Sequence, residues 1–217
     1  MDKTIRYLAF GDSLTVGVGA PEGHGFVPLF RAAAENLSGV TVHLSHSGTS
    51  GATTAQLLAT LETEFELQQH VQHANLITIT AGGNDLIQAA IPYFEQGDSN
   101  LLKSALQRYE ANYRRIIADI EQLKQGVVQP YLIALVGLYN PLPLVPDSAY
   151  WIKRFNLFLR KLVKPHICLV HVYDAFEGKV SSHLSDDHVH PNALGYELIA
   201  AALERTITTK QLRHLID

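Results

Sequence analysis

The stretch IRYLAFGDSLTVG, residues 5–17, joins an apolar run to a turn bounded by glycines. Ile5–Phe10 reads as a buried strand, and a serine follows it almost at once. Ser13 also sits where a helix would start, and serine is among the preferred caps there. Taken alone, the segment fits a capped strand–turn–helix as well as it fits a nucleophile. The rest of the chain decides, by whether it supplies a base, an acid to orient that base, and donors for an oxyanion.

Outward from this segment, short apolar runs alternate with helical patterns. Val40–Leu44, Leu76–Ala81, Tyr131–Val136 and Ile167–Tyr173 read as further strands. Between them, Leu102, Leu106, Tyr109, Tyr113, Ile116, Ile117, Ile120 and Leu123 recur at spacings of three and four, with Gly126 as a stop signal. The simplest role for that helix, and for its two tyrosines, is to cover a core. A second pattern, Leu194, Leu198, Ile199, Ala202 and Leu203, predicts a helix near the end. Five strands alternating with helices indicate an α/β fold with a parallel sheet covered on both faces. No repeat or linker divides the sequence, so residues 1–217 are expected to form one domain.

Composition narrows the function classes. Hydrophobic residues make up 47% and charged residues 18%, which is ordinary globular composition rather than that of a disordered chain. A net charge of −4 argues against a nucleic-acid partner, which would call for clustered Lys and Arg. The single cysteine, Cys168, excludes an intrachain disulfide and lies in an apolar run. No window reaches the ~18 apolar residues of a membrane span, so no membrane insertion is expected. The N-terminal residues lack a long apolar signal region, and a cytoplasmic location is expected unless an export signal has been trimmed.

In open α/β sheets, ligands bind beyond the carboxyl ends of the strands. After the first strand comes Gly11-Asp12-Ser13-Leu14. After the second comes SHSGTSGATT, residues 45–54, and after the third comes Ala81-Gly82-Gly83-Asn84-Asp85. Well after the fifth comes Asp186-Asp187-His188-Val189-His190-Pro191. One rim thus offers a serine, a glycine-rich turn, an asparagine behind two glycines, and an aspartate three residues before a histidine. That is the inventory for acyl transfer. Asp12 reads as an anchoring turn residue, and Asp85 as a cap for its own helix. His183, His188 and His190 with Asp186 and Asp187 raise a metal site, but no cysteine or second carboxylate cluster completes a ligand set, so no metal or other cofactor is expected. After the fourth strand, YNPLPLVP, residues 139–146, carries three prolines and reads as either a rigid connector or an apolar wall beside a substrate.

The order GDSL, SGxT, GxND and DxxHP resembles the SGNH hydrolases, or GDSL lipase/esterase family, from residue 10 to residue 191. The resemblance implies a three-layer α/β/α, flavodoxin-like fold with strand order 2-1-3-4-5. It implies Ser13 as nucleophile, Gly51 and Asn84 as oxyanion donors, His190 as base, and Asp187 as the acid that orients it. One position departs from the pattern: five residues before Gly51 the family often has Asn, and here stands His46. The physical roles fit these residue types. Ser13, at a helix start, would offer its own N–H and the helix dipole to developing charge. Gly51 would let backbone approach a substrate closely. Asn84 would supply a pair of neutral donors, aimed by the freedom of Gly82 and Gly83.

The implied strand order places the fifth strand roughly 14 Å from the first. The ~16 residues before His190 reach up to about 50 Å, so a long loop 174–190 must carry the histidine across. The expected activity is hydrolysis of short- to medium-chain acyl esters, lysophospholipids or thioesters, with a small-molecule ester as partner. Alternatives are a carbohydrate O-deacetylase of the same family and a non-catalytic flavodoxin-like binding module, in which a histidine paired with the serine has no use. Leu142, Leu144 and Val145 lean towards acyl chains.

Overall fold

The computed structural model describes residues 3–216. Its strands are β1 (Ile5–Gly11), β2 (Val42–Gly48), β3 (Leu76–Thr80), β4 (Leu132–Val136) and β5 (Ile167–Val170). All pair in parallel in the order β2-β1-β3-β4-β5. The helices are α1 (Ser13–Val16), α2 (Phe26–Ser38), α3 (Thr54–Thr63), α4 (Phe65–His73), α5 (Gly83–Gln96), α6 (Asn100–Leu123), α7 (Ser148–Arg160), α8 (Tyr173–Phe176), α9 (Val180–His183), α10 (Ala193–Thr206) and α11 (Thr209–His214). The fold is the expected three-layer α/β/α, flavodoxin-like sheet.

Strand side chains alternate between two cores. Ile5, Tyr7 and Ala9 of β1 face a core with Phe26, Phe30, Tyr196 and Leu203 of α2 and α10. Leu8 and Phe10 face the other, with Leu57, Tyr109, Tyr113 and Phe155 of α3, α6 and α7. The period of two is what a strand buried on both faces requires. Tyr109 and Tyr113 pack edge to face at 5.5 Å between ring centres, and both are buried.

Strand limits shift by one residue from the sequence reading at β1, β3 and β4, and by more at β2 and β5. β2 begins at Val42, and its parallel ladder continues through His46, Ser47 and Gly48 opposite Ala9, Phe10 and Gly11. It is an edge strand with polar, partly exposed positions, so pairing extends beyond the apolar run. β5 ends at Val170, because the chain turns at Val172 into α8. The segment 174–190 is also more structured than a loop. It carries α9 and most of α8, and a bridge between Leu184 and Pro191 closes its end.

The chain goes from β1 outward to β2 and then returns to place β3 on β1's other side. This makes the β1/β3 boundary the topological switch point, where ligands of such sheets bind. There Gly11 lies at φ +152, and a Cβ on it would stand 2.3 Å from the Thr80 carbonyl oxygen. Gly11→Ala should therefore lower the unfolding free energy by about 2 kcal/mol or more. Urea unfolding, with the midpoint falling at constant slope, checks it.

Candidate active site

Asp12 and Ser13 leave the end of β1 together. The Asp12 side chain accepts from the Leu14 N–H at 3.0 Å and so caps α1. That helix is a single turn, closed by Gly17 at φ +87, so it contributes local N–H groups and little macrodipole, less than the sequence reading supposed. Asp12 is almost wholly buried. Burial pushes its carboxyl above the ordinary value, opposed by hydrogen bonds from Thr80 and Leu14 and by the nearby His190. The Thr80 hydroxyl donates to Asp12 Oδ1 at 2.8 Å and accepts from the Thr15 hydroxyl at 2.8 Å.

The histidine segment arrives from the far side of the sheet. His190 Nε2 stands 2.8 Å from Ser13 Oγ, and its Nδ1 stands 2.5 Å from Asp187 Oδ2. With Asp187 ionised, Nδ1 carries the proton, and the Ser13 hydroxyl donates to Nε2. Of the two adjacent aspartates, Asp187 is the one the geometry selects. Its other oxygen accepts from the N–H groups of Val189 and His190 and from the Ser185 hydroxyl. Burial works against the charge, but these bonds and the one from the His190 ring outweigh it and hold the Asp187 carboxyl well below the usual range. His188, between them, adopts φ +58, a left-handed turn that wraps the backbone around the carboxylate. Behind it, the Tyr139 hydroxyl donates to the Val189 carbonyl at 2.6 Å, and Ser185 N–H donates to the His190 carbonyl.

The loops bearing Gly51 and Asn84 leave the ends of β2 and β3. The Asn84 amide donates one hydrogen to the Ala52 carbonyl at 2.9 Å. Only its other hydrogen is open to a substrate, so Asn84 supplies one free donor rather than a pair. Gly82 is required by its φ of +108 and by Tyr109, which a Cβ would meet at 2.4 Å; Gly83 has open space around it. Gly51 lies exposed on the rim beside Ala52. Its φ of +78, not crowding, is what calls for glycine there. Among the described residues the N–H groups of Ser13 and Gly51 donate to no protein acceptor. Asp85 caps α3 rather than its own helix, accepting from the Thr54 N–H and hydroxyl, and so ties the β3 loop to the β2 loop. His46, the departure from the family pattern, hydrogen-bonds through Nε2 to the Thr15 carbonyl at 2.9 Å and fastens β2 to α1.

Residues 9–198 match the GDSL-like Lipase/Acylhydrolase family. The chain belongs to that family. It is accordingly an ester-bond hydrolase. The chain is 37% identical to the spore germination lipase LipC of Bacillus licheniformis, over 92% of this chain and 95% of that one. It superposes on the crystal structure of the lipase Lip_vut3 from a goat rumen metagenome with a TM-score of 0.87, at 36% identity, covering 92% of this chain and 95% of the other. An acetylxylan esterase of Geobacillus stearothermophilus, Axe2, shares the fold with a TM-score of 0.70 at 19% identity, covering 93% of each chain.

Beside this GDSL-family rim lies a cavity of about 190 Å³. Ser13, Asn84 and His190 line it, together with Leu86, Ile87 and Ala90 of α5 and Trp151 and Ile152 of α7. Leu142 and Val145 of the proline-rich loop line it as well, so that loop is a wall as well as a connector. Leu144 instead lines a separate groove beside His188 and is almost fully exposed. The sequence reading missed α5 as a wall, and its apolar positions 86, 87, 90, 93 and 94 were the available signal. Among the described residues no three His, Cys, Asp or Glu side chains gather as for a metal ion, and no helix is long and apolar enough to cross a membrane.

Asn at position 187 keeps an acceptor for Val189 and His190 N–H but offers Nδ1 a donor, which selects the wrong imidazole tautomer. Asp187→Asn should lower kcat by about 10³–10⁴. The circular dichroism spectrum should be retained, while the thermal midpoint at neutral pH should fall. Because the Asp187 carboxyl is depressed in the folded state, its stabilising contribution is complete above about pH 4 and is lost as pH falls through the folded value. The stability advantage of wild type over Asp187→Asn should therefore shrink as the pH falls below about 4.

Proposed function

We propose that this chain hydrolyses carboxylic esters of short to medium acyl groups through an acyl-serine on Ser13. One observation carries the reading: the hydrogen-bonded chain Asp187–His190–Ser13 meets the inner surface of an apolar cavity. Ser13 Oγ attacks the acyl carbon while His190 Nε2 takes its proton. Asp187 holds the opposite ring nitrogen and stabilises the imidazolium. The carbonyl oxygen, now negative, is received by the N–H groups of Ser13 and Gly51 and by the free Asn84 amide hydrogen. His190 returns the proton to the departing alcohol oxygen. Water then attacks the acyl-serine, its proton going to His190; the acyl carbon–Oγ bond breaks, His190 returns the proton to Ser13 Oγ, and the acid leaves.

The cavity's aliphatic and aromatic wall supports an alkyl chain in preference to the hydroxylated ring of a carbohydrate acetate. Thioesters and lysophospholipids fall within the same class, since the attacked carbon and the chain are the same.

Hydrolysis of p-nitrophenyl butyrate by Ser13→Ala should fall by about 10³ or more, with the circular dichroism spectrum retained. Turnover near that of wild type would rule out the nucleophile. Asn84→Ala should reduce kcat by about 10²–10³ and change KM little, because the donor acts on charge that develops in the transition state. An effect confined to KM would contradict that role.

A further inference from the structure

The cavity beside Ser13 has a direction. Its α5 lining runs from Gly83 and Asn84, at the serine, through Leu86, Ile87 and Ala90 to Tyr93 and Phe94. The eleven rises from Gly83 to Phe94 cover about 16 Å. At the remote end the Tyr93 hydroxyl donates to Asp147 Oδ2 at 3.3 Å. Asp147 is the N-cap of α7, and its carbonyl accepts from the Trp151 N–H. Trp151 lines the cavity and, through the Asp147 cap, starts α7 on the side where Tyr93 is tied. Burial sharpens the picture. Ile87, Phe94 and Leu142 are 40%, 58% and 45% exposed and form an outer lip, whereas Leu102, Trp151 and Ile152 are buried.

We infer that this cavity seats the acyl chain of the ester and that the Trp151 indole is the stop that sets the longest chain accepted. The inference rests on the acyl-serine reading above and names its specificity residue. Magnitudes locate the limit. An apolar cavity of about 150 Å³ holds benzene, so 190 Å³ encloses an acyl tail on the order of six to eight carbons, beyond which a chain reaches the open lip. Longer tails have to displace the indole or leave past Phe94. Ala90, half-way along α5, is the place where added bulk would shorten the seat.

The test uses p-nitrophenyl esters from acetate to palmitate, each kcat/KM divided by that for acetate. Wild type should peak near octanoate. Trp151→Ala should move the peak to longer chains by at least about two carbons, because the ring's volume becomes cavity. Ala90→Leu should move it to shorter chains. Trp151 is also the only tryptophan in the sequence, so its fluorescence reports the proposed stop directly. In Ser13→Ala, octanoate should shift or quench the emission, and acetate and butyrate should not. Ester turnover that depends on Ser13, with one chain-length profile in all three proteins and an emission blind to octanoate, overturns the inference and leaves the acyl-serine reading standing. Absence of Ser13-dependent turnover overturns that reading instead, and the octanoate titration then decides whether the chain site exists. If Trp151→Ala does not fold, Ala90→Leu and the emission decide.

Discussion

The site depends on one buried interaction, the clasp between Asp12 and Thr80. A carboxylate out of water is costly unless its oxygens are occupied. Asp12 Oδ1 accepts from the Leu14 N–H and the Thr80 hydroxyl, and the Asp12 N–H donates back to Thr80. The same Thr80 oxygen accepts from Thr15. Three of these bonds lock Asp12 and Thr15, on either side of Ser13, onto the end of β3. The approach is so close that position 11 has room only for glycine. Because β1 and β3 are neighbours at the switch point, this clasp fixes Ser13 relative to the loop that presents Asn84.

The two carboxylates nearest Ser13 are driven in opposite directions. At Asp12 burial dominates and the carboxyl is pushed up; at Asp187 four donors dominate and it is pulled down. Asp187 stands on an exposed turn, where keeping a charge needs little compensation, and it faces the His190 imidazole. Asp12 faces Thr80 and the backbone, and its bonds are spent on shape. The division explains why adjacent acids in a serine site need not share a role.

Much of this was legible in the sequence because the relevant signals are local. The alternation of apolar runs gave the five strands, and the four loop motifs named Ser13, Gly51, Asn84, Asp187 and His190, of which the structure brings Ser13, His190 and Asp187 into one hydrogen-bonded chain. What was not legible depends on pairing between distant segments. The extension of β2 through His46–Gly48 follows from the ladder with β1, not from any apolar run of its own. Asp85 reads locally as a helix cap, yet its partner Thr54 lies 31 residues away. Likewise, nothing near Asn84 reveals that the Ala52 carbonyl takes one of its hydrogens.

The cavity is the least legible part, and for a structural reason. The reacting groups leave strand ends, whose positions the sheet dictates. The cavity wall comes from α5, from the start of α6 and from residues 138–152, elements placed above the rim by the β3–α6 and β4–α7 connections. Such insertions can change length and side chains without disturbing the Asp12–Thr80 clasp or the turn that holds His190. The rim and the wall are therefore separable. A neighbour at 19% identity shares the fold, so the sheet survives wide change in sequence, and a wall built on connections above the strand ends is freer to vary than the strand ends themselves.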